Sequence, residues 1–120
     1  MIAALYDPAI PNNRYASPNK LFEAMMLSKP VMTNEGILPA EIVREVHCGV
    51  VAHYEDVKEI AAALLRLSAD SRERRAMGER GRRAFEEKYN WPGMEKRLTA
   101  AYDSLQRASL SYIPSNLPSP

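Results

Sequence analysis

Lys20 and Glu23, with Asn19 beside them, carry the sharpest chemical signal in the sequence. They sit at the start of segment 18–28, where Leu21, Phe22, Ala24, Met25, Met26 and Leu27 are apolar. At roughly 100° per residue these side chains cover the back and both sides of a helix, which is therefore expected to be buried. Ser17-Pro18 reads as an N-cap followed by proline in the first helical position. A lysine in a first turn opposes the helix dipole, which favours negative charge there. Cation and free N–H groups together at a helix start suit an anion such as phosphate. Glu23, one turn further on, can accept hydrogen bonds from a hydroxyl-bearing ligand. The competing reading is an ion pair between Lys20 and Glu23, three residues apart on a partly exposed face.

Other reactive side chains offer less. His47, Cys48 and His53 do not have the paired spacing of a metal site, and no fourth ligand stands near them, so no metal is expected. Cys48 lacks a base and an orienting partner, and reads as a small apolar core residue. The methionines read as core. Gly78 and Gly81 fall within a helix, where they serve close packing or a bend; a phosphate loop would place them between strand and helix.

The elements that would position these groups alternate strand and helix. Ile2–Tyr6 is a short apolar run of the kind buried on both faces of a sheet. Asp7 to Asn13 reads as a turn-rich loop. After the helix over 18–28 come a strand over Pro30–Thr33, an exit loop Asn34–Gly36 and a short helix over Pro39–Val46. A third strand follows over Gly49–His53. Asp56 with Glu59 forms a capping box for a helix to Ser68, whose Val57, Ile60, Ala61, Leu64 and Leu67 make an apolar stripe. Asp70 and Glu73 open the next helix. There the Arg-rich run 66–83 reads as a solvated face, with Glu79–Arg83 and Arg82–Glu86 spaced to pair, rather than a nucleic-acid or lipid patch. A last helix spans about Trp91 to Arg107, with Met94, Leu98, Ala101 and Leu105 on one stripe and Trp91 as its anchor. The tail from Ser109 to Pro120 is Ser- and Pro-rich and is expected to be disordered.

This order predicts an α/β fold: a partial Rossmann-like parallel sheet with flanking helices and a helical C-terminus. Three strands are few for a doubly wound sheet, so residues 1–108 read as the later part of a larger domain. In such a sheet ligands bind beyond the carboxyl ends of the strands. That edge collects the loop 7–17, the helix start at 18–20, the loop 34–36 and the segment 53–56.

Bulk properties agree with one modest soluble domain. The 120 residues are 46% hydrophobic and 26% charged, with a net charge of +1 and a single cysteine. No apolar run reaches membrane-spanning length and no signal-peptide pattern is present, so a reducing cytoplasm is expected. Charge is uneven: residues 1–60 hold five Lys/Arg against eight Asp/Glu, and residues 61–120 hold eleven against seven.

Ser17-Pro18-Asn19-Lys20-Leu21-Phe22-Glu23-Ala24-Met25, followed by Lys29-Pro30-Val31, resembles the SPNKLFE(Y/A)M…GKPV segment of the group 1 (family 4) retaining glycosyltransferases. Glu35-Gly36 with Pro39-Ala40-Glu41-Ile42-Val43 is similar to that family's GGxPEIV stretch. Cys48-Gly49-Val50-Val51, Met77-Gly78 and Phe85–Trp91 resemble later family segments in the same order. The resemblance implies the C-terminal part of a GT-B nucleotide-sugar-binding domain, in an enzyme moving a glycosyl group from a nucleotide-diphosphate-sugar to a hydroxyl with retention. It implies that Glu23 binds the ribose hydroxyls and that Ser17, Asn19, Lys20 and Leu21 face the diphosphate. Tyr15 stands where many members carry a glutamate that touches the donor sugar, and is the candidate for that contact. No cofactor and no nucleic-acid partner are implied. The family's diphosphate-neutralising Arg/Lys pair and its acceptor domain lie upstream of the segment matched, so this chain alone is expected to be inactive. The resemblance allows peripheral membrane association of a full-length enzyme. Two rival readings are a non-catalytic remnant that still binds nucleotide and a GT-B-fold epimerase, which lacks the SPNKLFE run.

Overall fold

The computed structural model describes residues 1–111. Strands β1 (Ile2–Ala4), β2 (Val31–Asn34) and β3 (Gly49–Ala52) alternate with helices α1 (Pro11–Tyr15), α2 (Asn19–Met26), α3 (Leu38–Val46), α4 (Val57–Ala69) and α5 (Ser71–Ala84). A π-helical turn, Phe85–Tyr89, precedes α6 (Trp91–Ser111). The remainder of the expected tail, 112–120, lies outside the described residues. The chain divides into two compact units, Met1–Glu87 and Lys88–Pro120.

In the first unit the strands form one sheet of order β1-β2-β3, parallel throughout, with Ile2 opposite Val31 and Val31 opposite Gly49. The expected α/β architecture is therefore present. Parallel neighbours need a crossover, and each is helical. α2 packs on β1 and β2, and α3 packs on β2 and β3. Between them they supply Leu21, Ala24, Met25, Ile42 and Val43 to a core that buries every residue of β2.

At the amino ends of the strands the packing is backbone on backbone. A Cβ on Gly49 would fall 1.9 Å from the Val31 carbonyl oxygen, and one on Gly78 would fall 2.1 Å from that of Ser28. A Cβ on Gly81 would press on Cys48 Cβ at 3.2 Å. These absences of side chain let α5 lie directly against α2 and α3. Ser28 and His47, which follow α2 and α3, hold left-handed φ values of 54° each.

Part of the Arg-rich run has a task the sequence did not suggest. Arg82 donates to the Met26 carbonyl, Arg80 Nε to that of His47 at 2.7 Å, and Arg74 to those of Leu67 and Ser68. Guanidinium groups thus meet the ends of α2, α3 and α4, where carbonyls are orphaned and the dipole is negative. Arg66 pairs with Glu73, and the expected Arg82–Glu86 pair forms at 2.7 Å.

Several local expectations are corrected. Pro18, not Ser17, is the N-cap of α2; its backbone stays extended (φ −70°, ψ 140°), and no side chain caps the helix. The run read as a loop contains α1, which starts at Pro11. α2 buries one face only, leaving Met26 and Leu27 exposed. The capping box of α4 is half made: Asp56 accepts from the Glu59 N–H at 2.9 Å, but the Glu59 carboxylate turns to His53 instead. Of the α4 stripe only Leu67 is fully buried, while Val57 is 75% exposed. In the second unit Trp91 is 70% exposed and does not anchor its helix, and Leu98 and Leu105 are exposed with it.

Candidate functional site

Parallel strands end on one side, so the segments after β1, β2 and β3 share an edge. The first of these is fastened by Asn34, the last residue of β2, whose side chain is fully buried. Its amide oxygen accepts from the Tyr6 N–H at 2.8 Å, and its amide nitrogen donates to the Tyr6 carbonyl at 3.0 Å and the Glu35 carbonyl at 2.9 Å. One side chain thereby continues the ladder past the end of β1. Beside it the Thr33 hydroxyl donates to the Ala4 carbonyl at 2.9 Å.

The loop that follows is held from within. Asp7 Oδ1 accepts from the Ala9 N–H at 2.8 Å, Asn13 donates to the Asp7 carbonyl at 3.1 Å, and Arg14 donates to the Pro8 carbonyl at 3.3 Å. Gly36, at φ +80°, brings the β2–α3 turn against this loop; a Cβ there would stand 3.0 Å from Pro8 Cβ. The arrangement delivers Tyr15 at the end of α1 with 76% of its surface exposed.

Pro18 then turns the chain into α2. Asn19, Lys20 and Glu23 are exposed on its first turns, Ser17 is exposed just before them, and the Leu21 side chain is fully buried. The Leu21 N–H is taken by the Pro18 carbonyl at 3.1 Å, whereas the preceding N–H groups have no partner within the helix. Among the described residues neither the Lys20 nor the Glu23 side chain has a hydrogen-bond or ion-pair partner. The alternative of a mutual ion pair is thus not what the structure contains.

A groove of about 620 Å³ opens on this edge, lined by Arg14, Tyr15, Gly36, Leu38, Glu41 and Arg44 among others. Tyr15 is the one sequence-identified site residue that lines it. Arg14, Glu41 and Arg44 were missed; the signal for the last two was their spacing of three on the helix after the Glu35–Gly36 exit loop. Arg44 is paired with Glu35.

Two titratable groups elsewhere are perturbed. The Glu59 carboxylate accepts from His53 Nδ1 at 2.9 Å, which raises the imidazole pKa above its usual 6.5; bonds from the His53 backbone and ring lower that of Glu59. Burial pushes the Cys48 thiol up to about 11, so it stays protonated and packs as an apolar residue. Among the described residues no group of three His, Cys, Asp or Glu could hold a metal ion, and no helix is long and apolar enough to cross a membrane.

Comparison with known proteins fits this geometry. The chain is 32% identical over 82 residues to the MMP alpha-(1->4)-mannosyltransferase of Mycolicibacterium hassiacum, a match spanning 68% of this chain and 20% of that protein. Sucrose-phosphate synthase from Thermosynechococcus elongatus superposes with a TM-score of 0.72 at 24% identity, over 77% of this chain and 23% of that structure. The chain thus spans about a fifth of the length of the relatives it matches. Residues 12–84 match the family model described as glycosyl transferases group 1, and the chain belongs to that family.

Proposed function

We propose that this chain holds the nucleotide-diphosphate-sugar donor of a retaining glycosyltransferase that acts on a hydroxyl acceptor in polysaccharide or glycolipid synthesis. The observation that carries the reading is the start of α2. A lysine and a glutamate stand there exposed and without partners, beside free helix N–H groups, on the carboxyl edge of a parallel sheet. Lys20 and the N–H groups of the first turn receive the diphosphate, and Glu23 accepts from the ribose hydroxyls. Ser17 and Asn19 flank the phosphates, with Leu21 contributing backbone alone because its side chain is in the core.

As the sugar departs, negative charge grows on the diphosphate, and fixed dipoles and positive charge there stabilise it without reorganising. No metal or other cofactor is required in this scheme. The acceptor is held by a separate domain of a longer polypeptide, working in the cytoplasm or at its membrane face.

Calorimetric titration of two variants tests the assignment. Glu23→Gln should weaken nucleotide binding by roughly ten- to a hundredfold with the fold nearly intact, since a hydrogen bond to a charged group contributes about 1.5–3 kcal/mol. Lys20→Ala should weaken nucleoside diphosphates while barely changing bare nucleosides, because its partner is phosphate. Unchanged affinities in both variants would remove the site.

A further inference from the structure

β3 forms one edge of the sheet, and its backbone is open there over a short, bounded stretch. The Cys48 and Ala52 carbonyls accept from the Val31 and Glu35 N–H groups at 3.0 and 2.9 Å. Alternate residues therefore turn toward β2, and Gly49 and Val51 turn away from it. Among the described residues no hydrogen bond from outside the ladder reaches either of these two. The outward groups next in line are already taken. Arg80 Nε donates to the His47 carbonyl at 2.7 Å, and Glu59 Oε2 accepts from the His53 N–H at 2.7 Å. Between them stand no proline and no charged residue, the usual means of blunting an edge.

An open window with a cation at one end and a carboxylate at the other is complementary to itself. A two-fold axis normal to the sheet at Val50 pairs Gly49 of one copy with Val51 of the next, antiparallel, and each such pair exchanges both backbone bonds. The same register sets residue 47 of one copy opposite residue 53 of the other, which brings Arg80 of each to Glu59 of its neighbour. Both side chains have atoms to spare: among the described residues the Arg80 Nη groups and Glu59 Oε1 have no partner. Beside the window lies a hollow of about 310 Å³, lined by Val43, Val51, Met77 and the bare Gly49 among others. The second copy's Val51, seated over Gly49, enters it.

We infer that β3 is a self-association edge, through which two copies of this chain join their sheets antiparallel, with Val50 on the axis and Arg80 paired to Glu59 across it. A strand of an unrelated protein can use the window's backbone, but a second copy also answers the placement of both charges. The window is short, so the dimer is reversible and weak, dissociating at roughly 1 µM to 1 mM. It uses no residue of the α2 start and stands independently of the donor reading.

Sedimentation velocity of the 120-residue chain between about 10 µM and about 1 mM tests this. Monomer is expected to pass reversibly into dimer, with the Val51 amide exchanging more slowly as the dimer fills. Val51→Pro removes an outward N–H that β2 does not use, and is expected to weaken the dimer about tenfold or more. Arg80→Glu and Glu59→Lys are each expected to self-associate about tenfold more weakly, since both symmetry-related contacts are lost at once. Mixed together, these two variants are expected to recover association, which separates the contact from any loss of fold in one of them. A chain still monomeric at about 1 mM overturns the proposal, and slow Val51 exchange in that monomer gives the edge to another strand. A dimer indifferent to all three substitutions lies elsewhere, on the β1 edge or the exposed Leu64 and Leu65 of α4, and overturns it equally. Charge variants that are folded by circular dichroism, weakened alone and not recovered on mixing overturn the two-fold register.

Discussion

At the amino ends of the three strands, glycines let backbone lie on backbone, and arginines of α5 close the ends of α2 and α3. At the carboxyl ends the same strands lead into polar loops fastened by Asn34, with Lys20 and Glu23 free and a groove open between α1 and α3. The first edge has no room for a methyl group; the second leaves charged side chains without partners. A helix crossover makes both at once: its C-terminal end is packed and capped, and its N-terminal end has no side-chain cap. On the function proposed above, stability and recognition fall to opposite ends of one element, and a change at either should leave the other nearly untouched.

The largest effect expected from breaking this division is at Gly78. A methyl group there collides with the Ser28 carbonyl, and Gly78→Ala should cost about 2–3 kcal/mol, read as a fall in the urea midpoint. Site variants such as Lys20→Ala should stay within about 0.5 kcal/mol of the parent in the same measurement. Equal effects would show that the two edges are not separate.

An intermediate effect is expected at Asn34, where the two plans meet. Asn34→Ala strands the Tyr6 N–H and carbonyl at a part-buried position just past the end of β1 and should destabilise by about 2 kcal/mol. Faster exchange of amides in the loop 5–10 than in β3 would mark the loss as local to the carboxyl edge.

The smallest effect concerns His53 and Glu59, both exposed. The raised imidazole pKa means its contribution is complete below the unfolded value and lost as pH rises through the folded one. The lowered Glu59 pKa means its contribution is present above the unfolded value and lost as pH falls through the folded one. The pair is therefore fully formed between roughly pH 5 and 6.5. The stability difference between the parent and His53→Gln should peak in that window and shrink on both sides.

What could be read in the sequence was what depends on neighbours along the chain. Asp56 and Asp70 cap their helices as their spacing indicates, and the apolar runs became parallel strands. The errors have a common cause, which is competition from partners distant in sequence or from stiff backbone. Pro18 holds an extended conformation that moves the helix start past Ser17. Glu59 finds His53 before it finds its own cap. The α4 stripe is a correct periodicity, but among the described residues only Leu67 of it finds a partner that buries it. At the site, Lys20 and Glu23 were legible as a polar patch on an apolar helix. Arg14 and Glu41 were not, because they meet only when α1 and α3 are brought to one edge.

The register of the sheet also sets a timetable. β1 pairs with a strand twenty-nine residues later, whereas β2 and β3 are separated by eighteen. Closing the longer connection costs only about 0.4 kcal/mol more by chain statistics, so refolding from the whole chain discriminates weakly between the two pairings. Synthesis discriminates more strongly. At about 5–20 residues per second, β1 waits roughly 1.5–6 s for β2 to be made, its apolar run without a partner from this sheet. Its brevity, three residues in Ile2–Ala4, limits the length of sticky edge on offer while the ribosome supplies the rest.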